Sequence, residues 1–233
     1  MRPVRQMRAM NAIFSIVLAV HIVCGLVCTL AGLVPLLTRK GGQAHRRAGR
    51  LFVWAMGVLL GAAWLMTALH FSIYFLALSA MATLGLFSGV RVLRRKRPDI
   101  LSADRATGLD WAVTVGIISV SAWTLFASLG EGTGGSRTVS IALAASGLVY
   151  GGYDIWRFCQ PTAWPFTPRL WLYEHLVKMI GAYRAVMAAF AGNFIHFIPA
   201  PWSQLWPSIL FQLLAIAWII RLVTQDRARQ KAR

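Results

Sequence analysis

The stretch LFVWAMGVLLGAAWLMTALHFSIYFLALSAMATLGLFSGV, residues 51–90, runs for 40 residues without a Lys, Arg, Asp or Glu. As one helix it would extend about 60 Å, at about 1.5 Å per residue. The hydrocarbon core of a bilayer is about 30 Å thick, so this stretch has to cross twice, folding back near His70. The same reading applies outward along the chain. An apolar run of 27 residues precedes it at 11–37, and others follow at 111–129, 138–153, 179–197 and 205–220, each bounded by charge, Gly or Pro. The sequence therefore predicts an all-α integral membrane bundle of seven transmembrane helices. They lie near 11–37, 51–69, 71–90, 111–129, 138–156, 172–197 and 205–223, in a single domain over 1–233. No sustained alternation of polar and apolar residues points to a transmembrane barrel.

Composition agrees. With 58% hydrophobic and 13% charged residues, a chain of 233 residues has too little polar surface to cover a soluble globule. The net charge of +17 would point to nucleic acid in a soluble protein, but here the position of each cation matters more than the sum. Seven crossings put alternate loops on opposite sides. Eighteen of the 24 Lys and Arg residues then fall on one side: at 39–50, 91–105, Arg157, Arg169 and 221–233. The other side holds Arg2, Arg5, Arg8 and Arg137. The positive-inside rule places the N terminus outside and the C terminus in the cytoplasm, although the three N-terminal arginines vote against it. The basic loops are expected to touch anionic lipid head groups rather than nucleic acid. The opening MRPVRQMR with its apolar sequel mimics a signal peptide, but the apolar region is too long and lacks a small-residue cleavage site, so it is expected to be retained.

Cys24 and Cys28 lie one turn apart and share a helix face with His21. His21 and Cys28 are about 10 Å apart along the axis, too far for these three to grip one ion alone, and small residues on a packing face are the plainer explanation. Paired histidines between helices raise the question of haem. His175 and His196 would stand about 31 Å apart on one helix, at opposite water boundaries, and only His21 lies deep. Interfacial histidines bonded to water or lipid are the alternative.

The strongest polar signal is at the sixth helix. Arg184 is a lone cation in the run 179–197, and no carboxylate lies at a matching depth. A charge in a bilayer has to pair, snorkel or line a wet cavity. Asp154, Tyr173, Glu174, His175, Lys178 and Tyr183 gather at the cytoplasmic edge, with Arg184 about 8 Å deeper by helical rise. Glu174 and Lys178 are spaced i, i+4 and so placed to satisfy one another. Two readings stay open: Arg184 snorkels to the interface, or it faces a cavity and binds an anionic or quinone-like group.

The run KGGQAHRRAGRLFVWAM from Lys40, the preceding H-x-x-x-G of His21 and Gly25, and the later H-x-x-x-M of His175 and Met179 with Tyr183 resemble a widespread family of uncharacterised bacterial multi-pass membrane proteins. The resemblance covers about two thirds of the chain and is weakest across 99–137. It implies a bacterial inner-membrane location and singles out His21, His45 and His175. It brings no established activity, and some relatives carry a basic residue where Gly181 stands here.

No catalytic residue is nominated. There is no G-x-S-x-G, H-E-x-x-H, phosphate loop or C-x-x-C, and no internal repeat. The candidate binding residues are His21, His45, Asp154, His175, Lys178, Tyr183 and Arg184. They admit a cytoplasm-facing pocket for a quinone, haem or anionic lipid group, or else a small-molecule or proton-coupled transporter or accessory protein in which the same residues are anchors or relays. A metal ligand set is left open.

Overall fold

The computed structural model describes residues 2–130, 135–161, 169–199 and 201–231. It is all-helical among these residues, with seven helices: α1 (Arg2–Leu37), α2 (Gln43–Leu69), α3 (Ile73–Arg91), α4 (Gly108–Gly130), α5 (Gly135–Cys159), α6 (Leu170–Phe194) and α7 (Trp202–Lys231). Short 3-10 turns at Val92–Arg94 and Ser102–Asp104 join α3 to α4. The apolar 51–90 run does break at His70, whose extended backbone ends α2, while the Ser72 hydroxyl accepts from the Phe75 amide at 3.5 Å and opens α3. Several helices outrun their apolar cores. The second begins at Gln43 rather than near 51, which puts His45, Arg46, Arg47 and Arg50 on helix rather than in a loop. The seventh begins at Trp202 rather than near 205, and Pro207 lies inside it. Charge marks where the apolar core ends, not where backbone hydrogen bonding stops.

Five helices are long and apolar enough to cross a membrane: α1 to α4 and α7. The two that fall short are α5, carrying Arg137, Asp154 and Arg157, and α6, carrying Glu174, Lys178 and Arg184. Among the described residues they carry four of the five buried charged side chains, Asp154, Arg157, Glu174 and Lys178; the fifth is Asp110 of α4.

α3 sits at the centre, packed against α2, α4, α5 and α6. Its buried face is made of small residues, among them Ala77, Ser79, Ala80, Ala82, Gly85, Ser88 and Gly89. Such a face lets neighbouring backbones come close. A Cβ on Gly85 would stand 3.4 Å from the Ala182 amide nitrogen, and one on Gly89 would meet Met179 Sδ at 2.8 Å. A second core joins α1, α2, α6 and α7. Tyr183 lies edge-on to Phe52 and Phe211, with ring centroids 6.0 and 5.2 Å away, and its hydroxyl donates to the Thr29 carbonyl at 2.9 Å. Gly32 makes room for that ring, and Cys28 and Ala31 are buried beside it, so the small-residue face of α1 is a packing face.

The antiparallel succession gathers the basic loops at one end. There Lys40 donates to the Pro35 and Leu36 carbonyls at 2.7 and 3.1 Å and lies 4.2 Å over the Trp218 ring, closing the C-terminus of α1. Burial pushes its ammonium below the usual lysine range.

Candidate functional site

One layer near the basic end holds most of the buried charge. On α5, residues 153, 154 and 157 share the face turned to α3 and α6. Ser88 of α3 donates to Asp154 Oδ2 at 2.5 Å and accepts from Lys178 Nζ at 2.7 Å, and the same ammonium is ion-paired with Asp154 Oδ1. One helical turn further along α6, Glu174 Oε1 accepts from Arg157 Nε at 2.7 Å and from the Tyr153 hydroxyl at 2.8 Å. Where α3 meets α4, Arg91 grips Asp110 with both prongs, at 2.8 and 2.6 Å. The Thr107 amide and hydroxyl also donate to Asp110 Oδ2, at 2.8 and 2.7 Å. Asp110 and Asp154 are each 1% exposed. Outside this layer, Asp226 of α7 pairs with Arg169 and accepts from the Tyr173 hydroxyl at 3.1 Å.

The expected i, i+4 pairing of Glu174 with Lys178 is therefore replaced by two bridges between helices. Both residues face the bundle, and in a dry layer each needs several hydrogen bonds, which α5 and α3 supply and one intrahelical contact would not. The Ser88–Lys178 contact has the components of a serine nucleophile with a lysine base. Here the ammonium donates to both the hydroxyl and the carboxylate, so it has no lone pair with which to take the serine proton.

Arg184 belongs to a different place. It stands near the midpoint of α6 and lines a cavity of about 80 Å³ toward the opposite end of the bundle, between α3, α5, α6 and α7. Leu78, Met81, Leu143, Ala188 and Leu205 give this cavity apolar walls; Tyr74, Ser146, Gln204 and Ser208 are its polar points. A Cβ on Gly181, which also lines it, would touch nothing within 4 Å, so the absent side chain is part of the space. Arg184 donates to Gln212 Oε1 on α7 at 3.4 Å, and the Tyr150 hydroxyl of α5 donates to that same oxygen at 3.4 Å. No ion pair of Arg184 occurs among the described residues, and the buried Gln204 Oε1 accepts no hydrogen bond there. α5 leans on α3 and α4, and α7 on α6. Tyr150 of α5 and the exposed Gln212 of α7 make a contact between these two helices.

The histidines act as ties between helices. His21 Nδ1 meets the Leu59 carbonyl at 3.3 Å, His45 Nδ1 the Pro35 carbonyl at 3.3 Å, and His175 Nδ1 the Gly89 carbonyl at 2.8 Å. Each Nδ1 is thereby the donor and leaves Nε2 as the acceptor of the neutral ring. His21 is on the α1–α2 seam. Among the described residues, no three His, Cys, Asp or Glu side chains are grouped to hold a metal ion.

The candidate residues therefore divide. Asp154 and Lys178 come together, His45 ties α2 to α1 while His175 ties α6 to α3, Tyr183 is core, and Arg184 lines its own cavity. Reading the sequence passed over Ser88, Tyr153, Arg157 and Asp110, and the glutamines 204 and 212. One available signal was the complementary order of charge, Asp154 then Arg157 on α5 and Glu174 then Lys178 on α6. Another was a pair of glutamines two turns apart in an apolar helix. Comparison with protein-family models, with curated proteins and with solved structures found no match, so the site is interpreted from its own geometry.

Proposed function

We propose that this multi-pass membrane protein, its basic end in the cytoplasm, binds the oxyanion head group of an amphiphile at Arg184. One observation carries the reading: a guanidinium near the midpoint of α6, in an apolar-walled cavity, bonded to one neutral acceptor at 3.4 Å among the described residues. Five N–H donors at that depth need acceptors, because lipid tails supply none. A carboxylate or phosphate satisfies the planar fork with two parallel bonds. An acyl tail on that head group would leave between α5 and α7, and Gln204 Oε1, unpartnered among the described residues, suits a hydroxyl or protonated oxygen on the same head. The exposed Arg46, Arg47 and Arg50 on the first turns of α2 would meet anionic lipid at the membrane surface. The family likeness drawn from the histidine motifs stays a proposal on those motifs alone.

Purified protein titrated with oleate and, separately, with a short-chain ubiquinone tests this. Oleate should raise the melting temperature, and Arg184→Gln should abolish the rise. Arg184→Lys, which keeps the charge but loses the fork, should weaken binding by about tenfold, equivalent to roughly 1.4 kcal/mol. A response to the quinone alone would assign the cavity to a neutral carbonyl ligand, and equal responses in wild type and Arg184→Gln would remove Arg184 from the site.

A second reading, transport, is favoured by one feature. A single stripe of α6, residues 174, 178, 181, 185 and 188, lines both this cavity and the cleft at the basic end, with the Ser88–Asp154–Lys178 contact between them. In proteoliposomes, a transporter would move oleate across the bilayer and change rate on Asp154→Asn; a binding protein would do neither.

A further inference from the structure

We propose that the cleft at the basic end, beneath Arg95, is a second and separate binding site, built for a phosphate-type oxyanion. The turn Val92–Arg94 extends α3 and delivers Arg95 to a cleft bordered by α5 and α6. The Arg95 side chain is only 10% exposed, yet its Nε has no hydrogen-bond partner among the described residues. Its guanidinium is stacked 4.7 Å over the Phe158 ring, and its nearest carboxylate oxygen, Asp110 Oδ1, is 4.0 Å away and already bonded to Arg91. A guanidinium lying on a ring keeps its N–H edge free for a ligand at the side.

The charge around this cleft does not balance. Asp154 and Glu174 line it, but Lys178 and Arg157 neutralise them, which leaves Arg95 and Arg105 in excess. Burial outweighs the pull of Asp110, Asp154 and Glu174 and moves the Arg95 guanidinium below its ordinary value, as expected for a cation that lacks its own counter-ion. A tetrahedral oxyanion would accept from the orphan Nε and take a second contact from Arg105, an exposed residue at the mouth. Neither arginine touches the Arg184 cavity, so this site stands whether or not that one binds an amphiphile.

Both sources of the oxyanion can be tested on the full-length protein in detergent. Inorganic phosphate titrated calorimetrically should bind saturably. Arg95→Gln should weaken it by tenfold or more, roughly the loss of one charged hydrogen bond. Arg105→Gln should weaken it severalfold with no change in melting temperature, and so keeps the test valid if Arg95→Gln folds poorly. Arg184→Gln should leave it unchanged. Where inorganic phosphate gives no heat but dihexanoyl phosphatidylglycerol binds with the same dependence on Arg95 and Arg105, the ligand is a lipid head group. Binding of neither probe overturns the proposal, as does binding that both substitutions leave intact or that Arg184→Gln abolishes.

Discussion

Lys178 and Asp154 show what a buried charge requires of its surroundings. Each is almost fully buried, and each is held by the other and by Ser88. Removing one partner leaves the other dry and unpaired, which costs about 3–5 kcal/mol. Asp154→Asn and Lys178→Met should each lower unfolding stability in detergent by that order, and the double variant by clearly less than their sum. Additive losses would mean that the two residues act independently. Asp154 and Lys178 were legible in the sequence because charges at the edge of an apolar run stand out. Ser88 was not, since a serine among Ala and Gly on an apolar helix has the same signature whether it packs or bonds. Glu174 was legible as a charge but not in its partner, because spacing along one helix says nothing about what a neighbouring helix brings.

At the scale of the element, the close approaches decide which helices touch. A Cβ on Gly32 would collide with the Tyr183 ring and come within 3.1 Å of Phe52 Cδ2. That ring is tied by its hydroxyl to Thr29 and cannot swing aside. Gly32→Ala should therefore destabilise the protein by about 1–3 kcal/mol in detergent unfolding. Gly61→Ala, where a Cβ meets nothing within 4 Å, should be neutral or stabilising by up to about 1 kcal/mol. Equal effects at the two glycines would contradict this packing. The existence of all seven helices was legible, because apolar runs of this length have no other stable form in a bilayer. The start of α2 was not, because Arg46, Arg47 and Arg50 read as a loop although they continue the same helix into the interface. Which faces meet was also hidden: α3 is apolar nearly all round, and without a polar stripe periodicity assigns no inner side.

For the whole molecule, the gathering of cations at one end makes orientation testable. A reporter fused after Arg233 should be active only in its cytoplasmic form, and one inserted near Gly134 only in its external form. The reverse pattern would turn the Arg95 cleft outward. The same end view bears on how the chain enters the membrane during synthesis. Among the described residues, α5 and α6 are the two helices not apolar enough to cross alone, and a charged residue carried to a helix centre costs roughly 2.5 to 3.5 kcal/mol on insertion scales. Asp154, Arg157, Glu174 and Lys178 are answered between these two helices and by Ser88 of α3, so neither helix is a self-sufficient stop once it leaves the ribosome. A chain ended at Pro161 should show α5 only partly integrated by glycosylation mapping, and a chain continued through Phe194 should integrate both. Efficient insertion of α5 in the shorter chain would show that it needs no partner. The last third of the protein thus enters as a pair that waits for its second member, and the ion bridges that hold the finished bundle are also what commits it to the bilayer.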